Sequence, residues 1–254
     1  IRVCWNSQDK SDTDEAVERE ITKEYGDGYG CEIPLDSYGW VIGEKDKALI
    51  DRVGNKFKHG STLEHLVMTF NIKNISRALL QEVSRHRMQT LSVKSTRYTL
   101  KELKDEEPFC TDDLDYKGWL TDKPAAVSGY DSKRASKYLV WTENNRIDKS
   151  SVDALENLRI QLTAGISNDI AKYCLPESFK TELTLTINMR SLQNLLSLRL
   201  NKSALWEYQD LCCKIVDALP DEYLYLVEEI VREQVKTNPR IEHLLEIFEV
   251  DEQQ

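Results

Sequence analysis

The sequence predicts a mixed α/β (α+β) fold, rich in helix, with a small sheet and flanking helices. Three observations predict it. Two short segments, residues 66–72 and 182–188, read as strands. Apolar residues recur at helical spacing over much of the rest. With 254 residues and 40% hydrophobic content, the chain can bury a real core, in one large domain or two small ones.

Taken in order, residues 11–25 are charged and read as a helix fragment. Residues 26–43 carry glycines and aromatics, so 12–44 reads as an insertion. Residues 47–57 place Leu49, Ile50, Val53 and Phe57 on one helical side. Segment 66–72, LVMTFNI, is compact and apolar. Asn74 is the expected cap of a helix in which Ile75, Ala78, Leu79 and Val83 recur. That helix delivers Arg85 to Arg87 at its C-terminal end, where the dipole favours cations.

Residues 102–123 are acidic and aperiodic and contain Pro108 and Gly118, the pattern of a surface loop or lid. A long helical region follows over 132–173, with a break expected near 148–151, ending before Pro176. Residues 182–188 alternate polar and apolar. Helices are expected over 191–200 and 204–219, then, after Pro220, from an Asp221 cap to about 235. No internal repeat or low-complexity tract is present.

The formal net charge of -10 argues against general nucleic-acid or anionic-membrane partners. No apolar run reaches the roughly eighteen residues of a membrane span. Cysteines 4, 31, 110, 174, 212 and 213 show neither C-x-x-C spacing nor a secreted framework, so free thiols in a reducing cytoplasm are expected. The start at Ile1 shows no signal-peptide pattern and reads as trimmed. His59 and His65 lack zinc-site spacing, and no metal is expected. No G-x-G-x-x-G occurs, so a Rossmann-type site is not indicated. Trp206 reads as core.

Against this acidic background, residues 85–98, RHRMQTLSVKSTRY, concentrate three arginines, a histidine and several hydroxyls. Guanidinium forks match phosphate and other planar anions, although a solvated basic face would look similar. A second constellation lies at 188–199, NMRSLQNLLSLR. If 191 onward is helical, Arg190 and Asn194 share one face while Leu192, Leu195 and Leu196 pack inward. A strand-to-helix junction there exposes backbone N–H groups suited to phosphate.

The first run resembles the R-H-R-x-x-S-x-N-x-x-S-x-R signature of the flavin-dependent thymidylate synthases, with Thr90 for serine and Ser92 for asparagine. The second resembles their N-x-R-S-L-x-N-F-L-x-L-R, with Leu195 where phenylalanine is common. His59 to His65 is similar to H-E-T-P-F-E-H, Lys172 to Pro176 to R-x-x-L-P, and Ala204 to Glu207 to A-Q-W-E. The matches run in order over about 58–209. Residues 12–44 and 101–130 match nothing in that pattern and read as insertions into a single family domain spanning 1–254. Residues 2–5 resemble the family's early A-R-V-S-F, which implies that a strand and most of a helix precede them.

The resemblance implies the fold of that family and methylation of dUMP at uracil C5 to give dTMP. It implies carbon from 5,10-methylenetetrahydrofolate and electrons from NADPH through FAD. By motif position Arg199 stabilises charge developing on the pyrimidine. Arg97 and Ser95 hold the nucleotide phosphate, and Arg85 and Lys172 are further nucleotide contacts. Lys172 replaces an arginine and loses the fork. Glu82 stands where glutamine is common; an acid there accepts a uracil N–H and repels a phosphate. His59, Ser61, Glu64, Arg85, His86, Arg87, Asn188, Arg190 and Asn194 match flavin-side positions. The family likeness implies a homotetramer holding FAD between subunits.

Two rivals stand beside this reading. One is a related flavin- and folate-dependent enzyme that modifies C5 differently, such as by hydroxymethylation, motivated by Glu82, Thr90 and Ser92. The other is a non-catalytic nucleotide- or RNA-binding relative that kept the arginines.

Overall fold

The computed structural model describes residues 8–25, 41–109 and 131–249. They fall into two compact units: Ile1–Met68 with Arg87–Gln89 and Thr186–Gln254, and Thr69–His86 with Thr90–Leu185. No helix among the described residues is long and apolar enough to cross a membrane.

In the first unit, helix α1 spans Thr13–Tyr25 and α2 spans Glu44–Ile50. Their starts cap each other. Asp12 accepts from Lys45 N–H at 2.9 Å and Asp46 N–H at 3.2 Å, while Asp46 accepts from Ser11 and Thr13 hydroxyls at 2.6 and 2.7 Å. A Cβ at Gly43 would lie 2.3 Å from Asp12 Oδ1, so only glycine permits the approach. Residues 26–40 of the expected insertion lie outside the described residues. The helical expectation over 47–57 holds as α2 followed by a wide π-helical turn, Asp51–Lys56. Phe57, expected on its apolar side, is exposed.

Strand β1 runs over Val67–Ser76, longer than the sequence suggests. Asn74 adopts φ 59, a left-handed conformation that asparagine tolerates. It is therefore not the helix cap: Ser76 takes that role, its Oγ accepting Leu79 N–H at 2.9 Å at the start of α3, Arg77–Ser84. Arg85 then stands at the C-cap, as the periodicity predicts.

Strand β2, Gln89–Val93, was not foreseen. Its five residues are mostly exposed, and its alternation is short, Leu91 and Val93 against Thr90 and Ser92, inside a run dominated by cations. Helix α4 spans Thr96–Lys104. The loop expected over 102–123 is thereby corrected at its start: Glu102 to Lys104 are helical, and Leu103 and Phe109 are fully buried. Residues 110–123 lie outside the described residues.

The expected helical region 132–173 is three helices with connections: α5 Ser132–Ala135, α6 Asn145–Thr163 and α7 Asn168–Ala171, then a 3-10 turn Lys172–Cys174. The break expected near 148–151 is absent. Asn144 caps α6 through the N–H groups of Arg146 and Ile147, and Asp148 accepts from Thr142 at 2.8 and 2.9 Å, so the polar residues there begin the helix. Leu100, Leu103, Phe109, Leu139, Leu155, Leu158 and Phe179 form the second unit's core. Burying each such side chain contributes about 1.5–3 kcal/mol.

Strand β3, Lys180–Asn188, is central in an antiparallel sheet of order β1-β3-β2. Its alternation is realised: Leu183, Leu185 and Ile187 are buried and their neighbours are not.

In the first unit, α8 spans Met189–Arg199 and α9 Trp206–Asp217. The helix expected over 221–235 is broken into α10, Asp221–Leu224, and α11, Glu228–Val235, with Pro220 rather than Asp221 at the first cap position. A 3-10 turn, Pro239–Leu244, leads to α12, Leu245–Glu249. Trp206 is not core but half-buried, and Arg240 lies over its ring at 5.8 Å. Cys174, Cys212 and Cys213 are free thiols, as expected; burial pushes Cys213 up to about 11. Cys4, Cys31 and Cys110 lie outside the described residues.

Candidate functional site

In the first unit, α8 is built from its cap outward. Asn188 accepts the Ser191 N–H at 2.9 Å, which starts the helix two residues earlier than its leucines suggest. Leu192, Leu195 and Leu196 are buried. Gln193 ties the same helix down by donating to Leu226 O at 2.6 Å and Asn55 Oδ1 at 3.2 Å. With that side anchored, Arg190 and Asn194 are left exposed one turn apart, as the spacing predicts.

The 3-10 turn Gly60–His65 packs against α8. Arg190 Nη1 donates to Glu64 Oε1 at 2.5 Å. A Cβ on Gly60 would come within 2.9 Å of Arg190 Nε, so glycine lets the guanidinium lie close to the turn. Ser61 and His59 are exposed at the same turn, and His59 meets Phe57 edge-on with centroids 6.3 Å apart. Five predicted residues (His59, Ser61, Glu64, Arg190 and Asn194) thus sit on the turn and the helix packed against it. Arg87 is exposed in the turn after α3.

Arg199 occupies the last turn of α8, half-buried, with its guanidinium carbon 4.8 Å from the Tyr208 ring centroid. Its backbone surroundings are fixed by a buried polar network. Asn238 donates to Leu200 O at 2.7 Å and to Gln209 Oε1 at 2.8 Å, and Gln209 donates to Ala204 O at 2.8 Å. Sequence reasoning missed Asn238. Its only signal is an asparagine just before Pro239, which reads as turn chemistry.

In the second unit, Ser95 caps α4 by accepting the Arg97 N–H at 3.3 Å. Arg97 meets Asp169 in a two-pronged pair, Nε to Oδ1 at 3.3 Å and Nη2 to Oδ2 at 3.5 Å. Lys172 Nζ lies 3.7 Å from the same Oδ1. Asn168 Nδ2 donates to Arg97 O at 3.1 Å. Two predicted nucleotide-binding cations therefore converge on one carboxylate at a helix N-terminus. Asp169 was also missed; its three-residue spacing from Lys172 is the one available hint.

Elsewhere in this unit, Glu82 accepts from Arg85 Nη1 at 3.3 Å, so the acid replacing glutamine faces a cation on its own segment. His86 is half-buried. Thr90 and Ser92 are exposed on β2.

Among known proteins, the sequence model of the family described as "Thymidylate synthase complementing protein" matches residues 1–223. The chain is 51% identical to the flavin-dependent thymidylate synthase of Wolinella succinogenes, over 89% of this chain and 88% of that one. It is 55% identical to that of Campylobacter jejuni strain RM1221, over 76% and 85%. A crystal structure of Helicobacter pylori thymidylate synthase X with FAD and dUMP is similar at TM-score 0.64 and 45% identity, covering 85% of this chain and 93% of that one.

Proposed function

As the chain belongs to the flavin-dependent thymidylate synthases, we propose that it methylates dUMP to dTMP with bound FAD, taking carbon from 5,10-methylenetetrahydrofolate and electrons from NADPH. We read it as a single family domain acting in a homotetramer in the cytoplasm, without nucleic-acid or membrane partners. The observation that carries the substrate assignment is the meeting of Arg97 and Lys172 on Asp169 beside the Ser95 cap. We read it as an anion site, with Asp169 holding the cations that a nucleotide phosphate would take.

The residues present also fit the flavin. Arg190, lying close over Gly60 beside Ser61, offers a guanidinium and a hydroxyl of the kind a pyrophosphate needs. Glu64, Asn188 and Asn194 supply acceptors and amides around it, and His59, Arg85, His86 and Arg87 complete the flavin-side set. FAD, when bound, supplies the two-electron relay between NADPH and the methylene carbon.

The chain's own residues bind and polarise. Arg97, Ser95 and Lys172 hold the phosphate and so fix the position of the base. Arg85, held by Glu82, contributes a further nucleotide contact. Arg199, oriented by stacking on Tyr208 and by the Asn238 network behind it, presents a fixed cation to the pyrimidine oxygen where charge develops as C5 attacks carbon.

The test is an absorbance spectrum of the purified protein, followed under anaerobic NADPH with and without dUMP. Flavin bands that bleach faster with dUMP, and dTMP as product once the folate is added, are the expected result. Absence of flavin after added FAD, or a hydroxymethylated product, overturns the reading.

A further inference from the structure

A cleft of about 180 Å³ lies within the second unit, bounded by the start of β3, by α4 and by the segment around Tyr138. None of its lining residues is among those assigned above to nucleotide or flavin. Its charges sort into those already compensated and those that are not. Lys94 Nζ lies 3.2 Å from Glu182. Lys137 Nζ lies 3.1 Å from Glu106, which also accepts the Tyr138 hydroxyl at 2.7 Å.

Two lining charges remain, and they are opposite in sign. Lys180 Nζ donates to a single carbonyl, Ser136 O, at 2.5 Å, and no carboxylate among the described residues pairs with it. Burial pulls its ammonium below the usual lysine range with no counter-charge to offset it. Glu102, on α4, has no ion pair among the described residues. Neutral groups complete the lining. Thr181 is 7% exposed, and its hydroxyl makes no hydrogen bond to the described residues. Asn74 also lines the cleft, its carboxamide without a hydrogen bond among the described residues, and Tyr138 and Phe179 supply an aromatic wall.

A cavity this small cannot hold a nucleotide, whose pockets are commonly ~300 Å³ or larger. One unpaired cation and one unpaired anion in it call for a ligand carrying both complements. We propose that this cleft binds a small zwitterion of the α-amino-acid class, its carboxylate on Lys180 and its ammonium on Glu102, with Thr181 and Asn74 as neutral hydrogen-bonding partners.

Isothermal titration of the flavin-loaded protein with glycine, L-serine and L-aspartate tests this, with acetate, methylamine and inorganic phosphate as half-ligands. The expected result is saturable binding of at least one amino acid, about tenfold or more tighter than any half-ligand. Lys180→Met and Glu102→Gln should each weaken it by about tenfold or more while dUMP affinity stays unchanged. Glu102→Gln is an exposed helical change that keeps the test valid should Lys180→Met fail to fold. No saturation by any amino acid up to about 50 mM, a far weaker range than ordinary specific sites, overturns the proposal. So does phosphate or acetate binding as tightly as the amino acids with Glu102→Gln without effect, which marks a simple anion site.

Discussion

Within the second unit, two groups of charges are used in opposite ways. At the neck from Glu106 to Phe109 and Asp131 to Arg159, Glu106, Arg134, Glu156 and Arg159 each have several partners. Glu156 accepts from Arg159 at 2.7–3.2 Å and from the Phe109 N–H at 2.9 Å, with the two side chains only 13% and 14% exposed. Arg134 bonds Asp131, Glu107 O and Pro108 O and lies 5.2 Å from the Phe109 ring. Asp131 N–H in turn donates to Phe109 O at 2.9 Å, so the residues flanking 110–130 are stapled together. The motif cations differ. Arg85 and Arg97 are 73% and 72% exposed, and among the described residues the side-chain partner of each is a single carboxylate. The neck charges Glu106, Glu156 and Arg159 are mostly shielded and share several partners; charges kept for a ligand are exposed and can exchange their partner at little cost, since exposed ion pairs contribute only about 0–1 kcal/mol.

The largest expected effect tests an intermediate case. Arg199 is half-buried yet assigned to chemistry, and Arg199→Ala should lower turnover by about 100-fold or more while flavin remains bound. Single-turnover kinetics beside a flavin spectrum would check it; normal turnover removes Arg199 from the mechanism. Asn238→Ala sharpens the folding side. It leaves Leu200 O and Gln209 without their buried donor, and should cost about 2–3 kcal/mol in urea unfolding.

That pair also marks where legibility in the sequence ended. Arg199 and its neighbours were readable because a strand-to-helix junction repeats a local pattern: alternation over 182–188, then leucines at helical spacing. The helix, its buried face and the exposed Arg190 and Asn194 all follow from that. Asn238 and Asp169 were not readable, because their partners lie 38 and 72 residues away and no local period records such contacts. Strand β2 escaped because its alternation, Leu91 and Val93 against Thr90 and Ser92, is only five residues long and lies within the cationic run; its pairing with β3 is non-local. The break expected near 148–151 failed because polar residues that disfavour a helix interior serve equally well at its start.

Acid sensitivity separates the two groups further. Burial alone would raise Glu156, but the Arg159 hydrogen bonds, the Phe109 N–H and the nearby cations outweigh it and hold the carboxyl below its usual 4.5. Glu106 is held low first by the Tyr138 hydroxyl, then by Lys137 and Arg134. A depressed carboxylate adds stability above its unfolded value and loses it as pH falls through the folded one. Stability should therefore decline from about pH 4.5 downward, and Glu156→Gln should flatten that decline in melts across the acid range. An unchanged acid limb in the variant would show that the neck does not carry it.

The smallest effect belongs to the exposed group. Asp169→Asn removes the carboxylate that competes for Arg97 and Lys172, and should tighten dUMP binding by about threefold while leaving deoxyuridine, which lacks the phosphate, unaffected. Equal changes for both ligands would mean that Asp169 supports the base and not the phosphate site.

The most direct test of the division crosses one residue from each group against two readouts. Arg97→Ala and Glu156→Ala would each be measured for unfolding free energy in urea and for dUMP affinity by titration. Arg97→Ala should weaken dUMP by about tenfold or more with stability within about 0.5 kcal/mol of the parent. Glu156→Ala, which removes the carboxylate from Arg159 at a site only 14% exposed, should lose about 3 kcal/mol with dUMP affinity retained. Stability lost in Arg97→Ala, or nucleotide affinity lost equally in both, would contradict the account.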